Sequence, residues 1–317
     1  MKILITGVHG FVGSNLVEAL KKEHTIYGLD IVSPIKDGVR FTFSWDSLEI
    51  KDEIPEVDAI IHLAGKAHDV KSDGRGQKEE YMKINCGLTQ KIYDYFLKSN
   101  AKKFIFFSSV KAAADRVIGE FVDENVVPSP KGPYGESKIA AEDYIRQKES
   151  ERIATGKETY ILRPCMIHGP GNKGNLNLLY GVVKKGIPWP LGAFENKRTF
   201  TSIDNLCFII KGLLTQDVES GIYNINDDEA VSTNELIEII CSAMGKKAHI
   251  WRIPRELMEG VAKIGGALHL PLNPERLQKL TENYVSSNTK IKKALGVEKL
   301  PVRAKDGLRM TIKSFKK

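Results

Sequence analysis

The sequence predicts an α/β protein, with a doubly wound parallel sheet and a smaller, mostly helical C-terminal lobe. Three observations predict it. Residues 57–63 (VDAIIHL) and 104–107 are near-continuous apolar runs, which suit strands buried on both faces of a parallel sheet. They alternate with helical stretches near 79–99 and 134–150. The β-branched run 2–6 leads through a glycine-rich turn directly into a helical pattern at 11–22.

Residues 25–30 read as the second strand. Past residue 164 the pattern changes. Gly169-Pro170-Gly171 is a break, 174–186 is a helix between turns, and 187–191 holds two prolines and is a loop or an edge strand. A strand at 198–202, a helix from Asp204 and a strand at 222–225 are expected to rejoin the main sheet. The remainder, 226–317, is mostly helical, with Ser232-Thr233 before Glu235 as a helix start. This gives a first domain over 1–165, to which 198–225 returns, and a second lobe from 166–197 and 226–317. The polar stretches 66–78 and 111–133 follow strand ends, where loops of an open α/β sheet line the ligand crevice, and are expected to be active-site loops.

Composition narrows the function. The 317 residues are 42% hydrophobic and 27% charged, which excludes a disordered chain. No apolar run reaches 18 residues, so no transmembrane helix and no stable membrane insertion are expected. The start, MKILITG, has no apolar signal core, and the four cysteines (Cys86, Cys165, Cys207, Cys241) are far apart. Reduced thiols in a cytoplasmic protein are expected, with no disulfide framework and no metal site. The net charge is +7, but apart from Lys184-Lys185 and the tail (Lys313, Lys316, Lys317) the basic residues are dispersed, and no nucleic-acid-binding signature accompanies them.

Gly7, Gly10 and Gly13 in TGVHGFVG give G-x-x-G-x-x-G after a strand and at a helix start. The glycines permit a tight turn, close backbone approach to a pyrophosphate and helix–strand packing. The helix N-terminus, from Phe11 and Val12, then presents free N–H groups to the phosphates. Asp30 ends the next strand, where a carboxylate accepts ribose hydroxyls and repels a 2′-phosphate. NAD is therefore favoured over NADP.

Tyr134 and Lys138 in YGESK stand at i and i+4 and share a helix face. A phenol is a poor base near neutrality because its ordinary pKa is about 10. Bringing it near pH 7 needs roughly 4 kcal/mol of differential stabilisation, which the ammonium and a nicotinamide cation in a dry cleft can supply. Ser109, just past the apolar run 104–107, offers a hydroxyl to hold the substrate oxygen.

These pieces together resemble the extended short-chain dehydrogenase/reductase family, in its nucleotide-sugar epimerase/dehydratase branch, which has a Rossmann sheet. The matching motifs are TGVHGFVG (6–13), Asp30, HLAG (62–65), Asn85 with Thr89, FFSSV (106–110), YGESK (134–138), LRPCMIHGPG (162–171) and RTFTSIDNL (198–206). The resemblance implies that Asp46 and Ser47 lie beside the adenine. It implies that Leu63, Ala64, Gly65, Lys66, Asn85, Ser108, Pro164 and Ile167 line the cofactor. Ser109, Val110, Lys111 and Tyr134 would meet the substrate with Lys66, and Asn175 and Arg198 would grip the nucleotide diphosphate, for which an arginine fork is suited. A homodimer through 79–99 and 134–150 is expected on the same ground. His62 and His168 are read as structural, and His68 as more often structural than substrate-facing. The apolar stretch 257–270 is read as packing or as a cap over the sugar pocket, with approach to a membrane surface as the alternative.

Two departures bear on the reaction. Dehydratases of the family carry Thr-Asp-Glu where this chain has Ser109-Val110-Lys111, so dehydration is not expected. Many epimerases carry asparagine where Met166 stands. The resemblance implies a UDP-hexose or UDP-N-acetylhexosamine 4-epimerase, with a 4-ketoreductase of a UDP-4-keto-6-deoxy-N-acetyl sugar as the alternative. A non-catalytic dinucleotide-sensing module is the alternative of another class.

Overall fold

A computed structural model describes residues 1–67, 77–172, 174–267 and 272–315. Strand β1 (Lys2–Thr6) and helix α1 (Phe11–Leu20) are followed by β2 (Thr25–Leu29), β3 (Val39–Phe43) and β4 (Ala59–His62). Next come α2 (Gln77–Tyr81), α3 (Leu88–Lys98), β5 (Lys103–Phe107), α4 (Val110–Ala113), α5 (Pro133–Gln147), α6 (Glu149–Ala154) and β6 (Glu158–Pro164). The second half runs β7 (Met166–His168), α7 (Asn175–Lys184), β8 (Phe200–Ser202), α8 (Ile203–Thr215), β9 (Gly221–Ile225) and α9 (Thr233–Ala243). It closes with α10 (Arg255–Ala267), α11 (Pro274–Thr281), α12 (Thr289–Ala294) and α13 (Ala304–Ser314).

The main sheet has the order β3-β2-β1-β4-β5-β6-β9 and every pairing in it is parallel. The winding reverses between β1 and β4, which places the ligand crevice of such a sheet at their carboxyl ends. Alternate residues feed two cores. Ile3 and Ile5 of β1 pack with Leu16, Val17 and Leu20 of α1 and with Leu206, Ile209, Ile210 and Leu213 of α8. Leu4 and Ile60 face the opposite layer, with Ile92 and Phe96 of α3 and Ala141 and Ile145 of α5. A third cluster gathers Leu176, Tyr180, Trp189, Leu191, Ile237, Met258, Leu277 and Leu308, from segments that lie outside the main sheet.

Several expectations need correction. The strand at 198–202 does not rejoin the main sheet: Phe200–Ser202 pairs with Met166–His168 in a separate two-stranded parallel sheet, and only Gly221–Ile225 returns. Residues 79–99 are not one helix but α2, a π-helical stretch at Met82–Gly87, and α3. Strand β3, VRFTF, is an edge strand with its first four residues partly exposed, so it lacks the apolar run that marks the central strands. The start of α9 is as read, with a reciprocal capping box between Ser232 and Glu235. His68 lies outside the described residues, as do most of the 66–78 loop, 268–270, Lys316 and Lys317.

Candidate active site

The glycine turn sits at the switch point. Gly7 has φ +67°, and a Cβ there would come within 3.0 Å of the Ala64 backbone nitrogen. A Cβ at Gly13 would lie 2.4 Å from the Gly7 carbonyl oxygen. The turn is thus closed tightly against 63–65, and the first turn of α1, at Phe11 and Val12, has no side-chain cap on its N–H groups. Thr6 explains how the neighbouring loop is set. Its hydroxyl accepts from the backbone of Leu63 at 3.1 Å and Ala64 at 3.0 Å, and it bonds His62 at 2.7 Å.

Asp30 stands beside this turn, accepting from the backbone N–H of His9 at 3.1 Å and of Ile31 at 2.8 Å. Two residues the sequence reading passed over join it. Lys36 donates to the Ser14 hydroxyl and, at 3.4 Å, to the Val8 carbonyl, and the His9 ring lies 3.1 Å from the Thr42 hydroxyl. Asp46 is exposed and Ser47 buried in the 3₁₀ turn that follows β3. A turn that leaves no room for a Cβ, an uncapped helix start and a carboxylate at the next strand end fit an adenine dinucleotide.

At the end of β5 the catalytic candidates converge. The Ser109 hydroxyl lies beside the Tyr134 phenol and favours its ionised form, and Ser109 also caps α4, accepting from the Lys111 N–H. Lys138 is buried and donates to the Phe107 carbonyl at 2.8 Å. The charge balance differs from the expectation. Burial lifts the Tyr134 phenol above its ordinary value, and the nearby Ser109 hydroxyl only partly offsets it. Burial also lowers Lys138 to about 8, with Glu142 pulling the other way. The protein alone therefore does not produce a phenolate, because the dry site penalises both charged forms.

Other expected residues are placed less directly. Asn85 is fully buried: it accepts from the Lys66 N–H at 2.7 Å and donates to the Lys66 carbonyl and to the Ser137 hydroxyl. It lies in the π-helical stretch, a distortion that often marks functional sites. Its contact with the crevice runs through the 65–66 backbone. Ser108, expected at the cofactor, instead bonds Glu142. The Lys66 ammonium pairs with Glu80 at 2.6 Å. The Tyr81 ring, which sequence reasoning missed, stands edge-on to Tyr134 with centroids 6.2 Å apart. Pro164 ends β6, and Ile167, in β7, accepts a bond from Asn172 through its carbonyl.

Toward β8, Arg198 pairs with Glu282 at 3.6 Å, and Lys111 lies 4.3 Å from the centre of the Tyr284 ring. Burial lowers both cations. Val110 is buried and Asn175 is exposed at the first position of α7. Tyr284 and Glu282 carried no motif, being brought here only by the return of the chain after α11. His62 and His168 are fully buried, bonding Thr6 and Thr89, and Thr311, respectively. Among the described residues no cluster of metal-binding side chains is found, the cysteines are unpaired, and no helix is long and apolar enough to cross a membrane.

Comparison with known proteins agrees with this geometry. The chain is 29% identical over 260 residues to a UDP-glucose 4-epimerase of Vibrio cholerae, covering 80% of this chain and 78% of that one. It is 27% identical over 302 residues to an N-acetyl-α-D-glucosaminyl-diphospho-ditrans,octacis-undecaprenol 4-epimerase of Escherichia coli O157:H7, covering 92% and 84%. The fold matches the crystal structure of the UDP-glucuronic acid 4-epimerase from Bacillus cereus in complex with NAD, at a TM-score of 0.75 and 20% identity over 100% of this chain and 99% of that one. Residues 3–226 match the family model described as the NAD dependent epimerase/dehydratase family. With the glycine turn, Asp30 and the Tyr134–Lys138 pair in these places, the chain belongs to the NAD dependent epimerase/dehydratase family and is an enzyme of that family.

Proposed function

We propose that this chain is an NAD-dependent 4-epimerase of a UDP-hexose or UDP-N-acetylhexosamine, serving surface polysaccharide synthesis. The observation that carries the reading is the Tyr134 phenol, beside Ser109 at the end of β5 and one helix turn from the buried Lys138, which is tied to the Phe107 carbonyl. Gly7, Gly10, Gly13 and Asp30 would hold the dinucleotide, with Leu63, Ala64, Gly65, Pro164 and Ile167 along its length. When bound, NAD supplies the acceptor and later the donor of the hydride at C4.

Tyr134 takes the proton of the C4 hydroxyl as that carbon is oxidised, and Ser109 holds the same oxygen. Lys138 keeps positive charge near the phenol, favouring its ionised form. Arg198 and Asn175, with Lys111, retain the diphosphate while the 4-keto sugar turns its other face. Tyr134 then returns the proton. Val110 and Lys111 put no acid at the positions that dehydratases use, which supports epimerisation over elimination. The division into a dinucleotide domain and a sugar lobe is supported by the separate apolar cluster around Trp189 and Met258. A cytoplasmic homodimer packed through α3 and α5 is part of the same proposal.

The test is incubation with UDP-glucose, UDP-N-acetylglucosamine and UDP-glucuronic acid without added cofactor, with products separated by chromatography. Interconversion at C4 is expected. No interconversion, together with NADH or NADPH oxidation by a UDP-4-keto-6-deoxy sugar, would replace this reading with the 4-ketoreductase.

A further inference from the structure

Behind the catalytic pair, α5 carries a third polar residue. Tyr134, Lys138 and Glu142 stand at i, i+4 and i+8, on one helix face. The end of β5 answers them residue by residue. The Phe107 carbonyl accepts from Lys138, the Ser108 hydroxyl donates to Glu142, and the Ser109 hydroxyl lies beside Tyr134. Glu142 is fully buried and is gripped from β6 by Arg163, which is 1% exposed. The guanidinium donates through Nε at 3.0 Å and through Nη2 at 2.6 Å, one bond to each carboxylate oxygen. Nη1 of Arg163 is buried with no hydrogen-bond partner. An apolar pair of the same volume often serves stability as well as a buried ion pair does, so packing alone gives little reason for these charges here.

We propose that Glu142, fixed by Arg163 and Ser108, is a positioning residue of the active site: it keeps Lys138 charged and directed at the strand end where Ser109 meets Tyr134. This rests on the reading of Tyr134 and Lys138 as the catalytic pair. The titratable and charged groups around Lys138 come from three elements: Tyr134 and Glu142 on α5, His62 on β4, and Arg163 on β6 beyond Glu142. Burial holds His62 well below its ordinary value, so it stays neutral and contributes no opposing charge. Glu142 is then the group that opposes the loss of the Lys138 proton, and its carboxylate is shared with Arg163.

The two partners should therefore act with opposite sign. Lysine labelled with ¹³C at Cε is titrated by NMR in the NAD-loaded full chain, the Lys138 resonance being the one lost in Lys138→Met. Glu142→Gln is expected to lower its midpoint by about one pH unit and Arg163→Met to raise it by a similar amount. The double variant Glu142→Gln/Arg163→Met, which leaves no lone buried charge, should fall between Glu142→Gln and the parent. The alkaline limb of kcat with UDP-glucose should move in the same directions. An unmoved midpoint in the folded variants, or a shift of the same sign in both single variants, overturns the proposal. Should a single variant fail to fold, an unmoved midpoint in the double variant does so. Midpoints that move as expected while no UDP-sugar is turned over would reject the epimerase reading and leave this one standing.

Discussion

The Lys138 ammonium donates a 2.8 Å hydrogen bond to the carbonyl of Phe107, the last residue of β5. That bond ties α5 to the strand end and puts a buried cation close to Gly65. A Cβ at Gly65 would lie 3.2 Å from the same nitrogen. Several consequences can be measured.

Tyr134→Phe removes the proton carrier and little else. A loss of about 10²–10⁴ in kcat is expected, with NAD affinity unchanged by calorimetry. A variant that keeps most of its turnover would move the acid–base role to another group, and one that loses NAD would show that the phenol is needed for the site to form.

The phenol of Tyr134 should titrate above its usual value in the protein freed of dinucleotide, because burial outweighs the influence of the nearby Ser109 hydroxyl. Saturating NAD⁺ should shift that titration downward, since it adds a cation to the crevice. Absorbance near the phenolate band, compared between the parent and Tyr134→Phe, reads both states. An ordinary midpoint without dinucleotide would contradict the burial.

Lys138 makes stability depend on pH with a definite sign. Burial lowers its pKa from the ordinary 10.5 to about 8, so the unfolded chain binds more protons between those values. Stability attributable to this residue is lowest below about pH 8 and rises as pH climbs toward 10.5. Relative to Lys138→Met, the parent should gain roughly 3 kcal/mol across that window in denaturant titrations. A flat difference would mean that the ammonium is solvated.

Gly13→Ala drives a methyl into the Gly7 carbonyl, 2.4 Å from the ideal Cβ position. NAD affinity should fall by roughly tenfold or more, with a lowered melting temperature. Unchanged affinity would place the diphosphate elsewhere.

Glu282 competes with a bound anion for Arg198, to which it is paired at 3.6 Å. Glu282→Gln should tighten binding of UDP by roughly threefold to tenfold at low salt, with a smaller gain at high salt. Weaker binding would show that the carboxylate orients the guanidinium rather than competing for it.

What could be read from the chain alone is what local geometry encodes. The spacing Gly7, Gly10, Gly13 implies a turn because only a residue without Cβ fits there, and Tyr134 with Lys138 implies a shared face because the helix has 3.6 residues per turn. Glu142 extends the same series by one step and was legible in principle, although nothing in the sequence reports that it meets Arg163.

The tertiary structure decided whatever depends on which distant segments become neighbours. It paired β8 with β7 instead of the main sheet, brought Glu282 and Tyr284 to Arg198 and Lys111, and turned Asn85 inward through a π-helical stretch. It also set the charge states: the spacing of Tyr134 and Lys138 promises attraction between phenolate and ammonium. How strongly either is ionised depends on burial, which the whole fold determines.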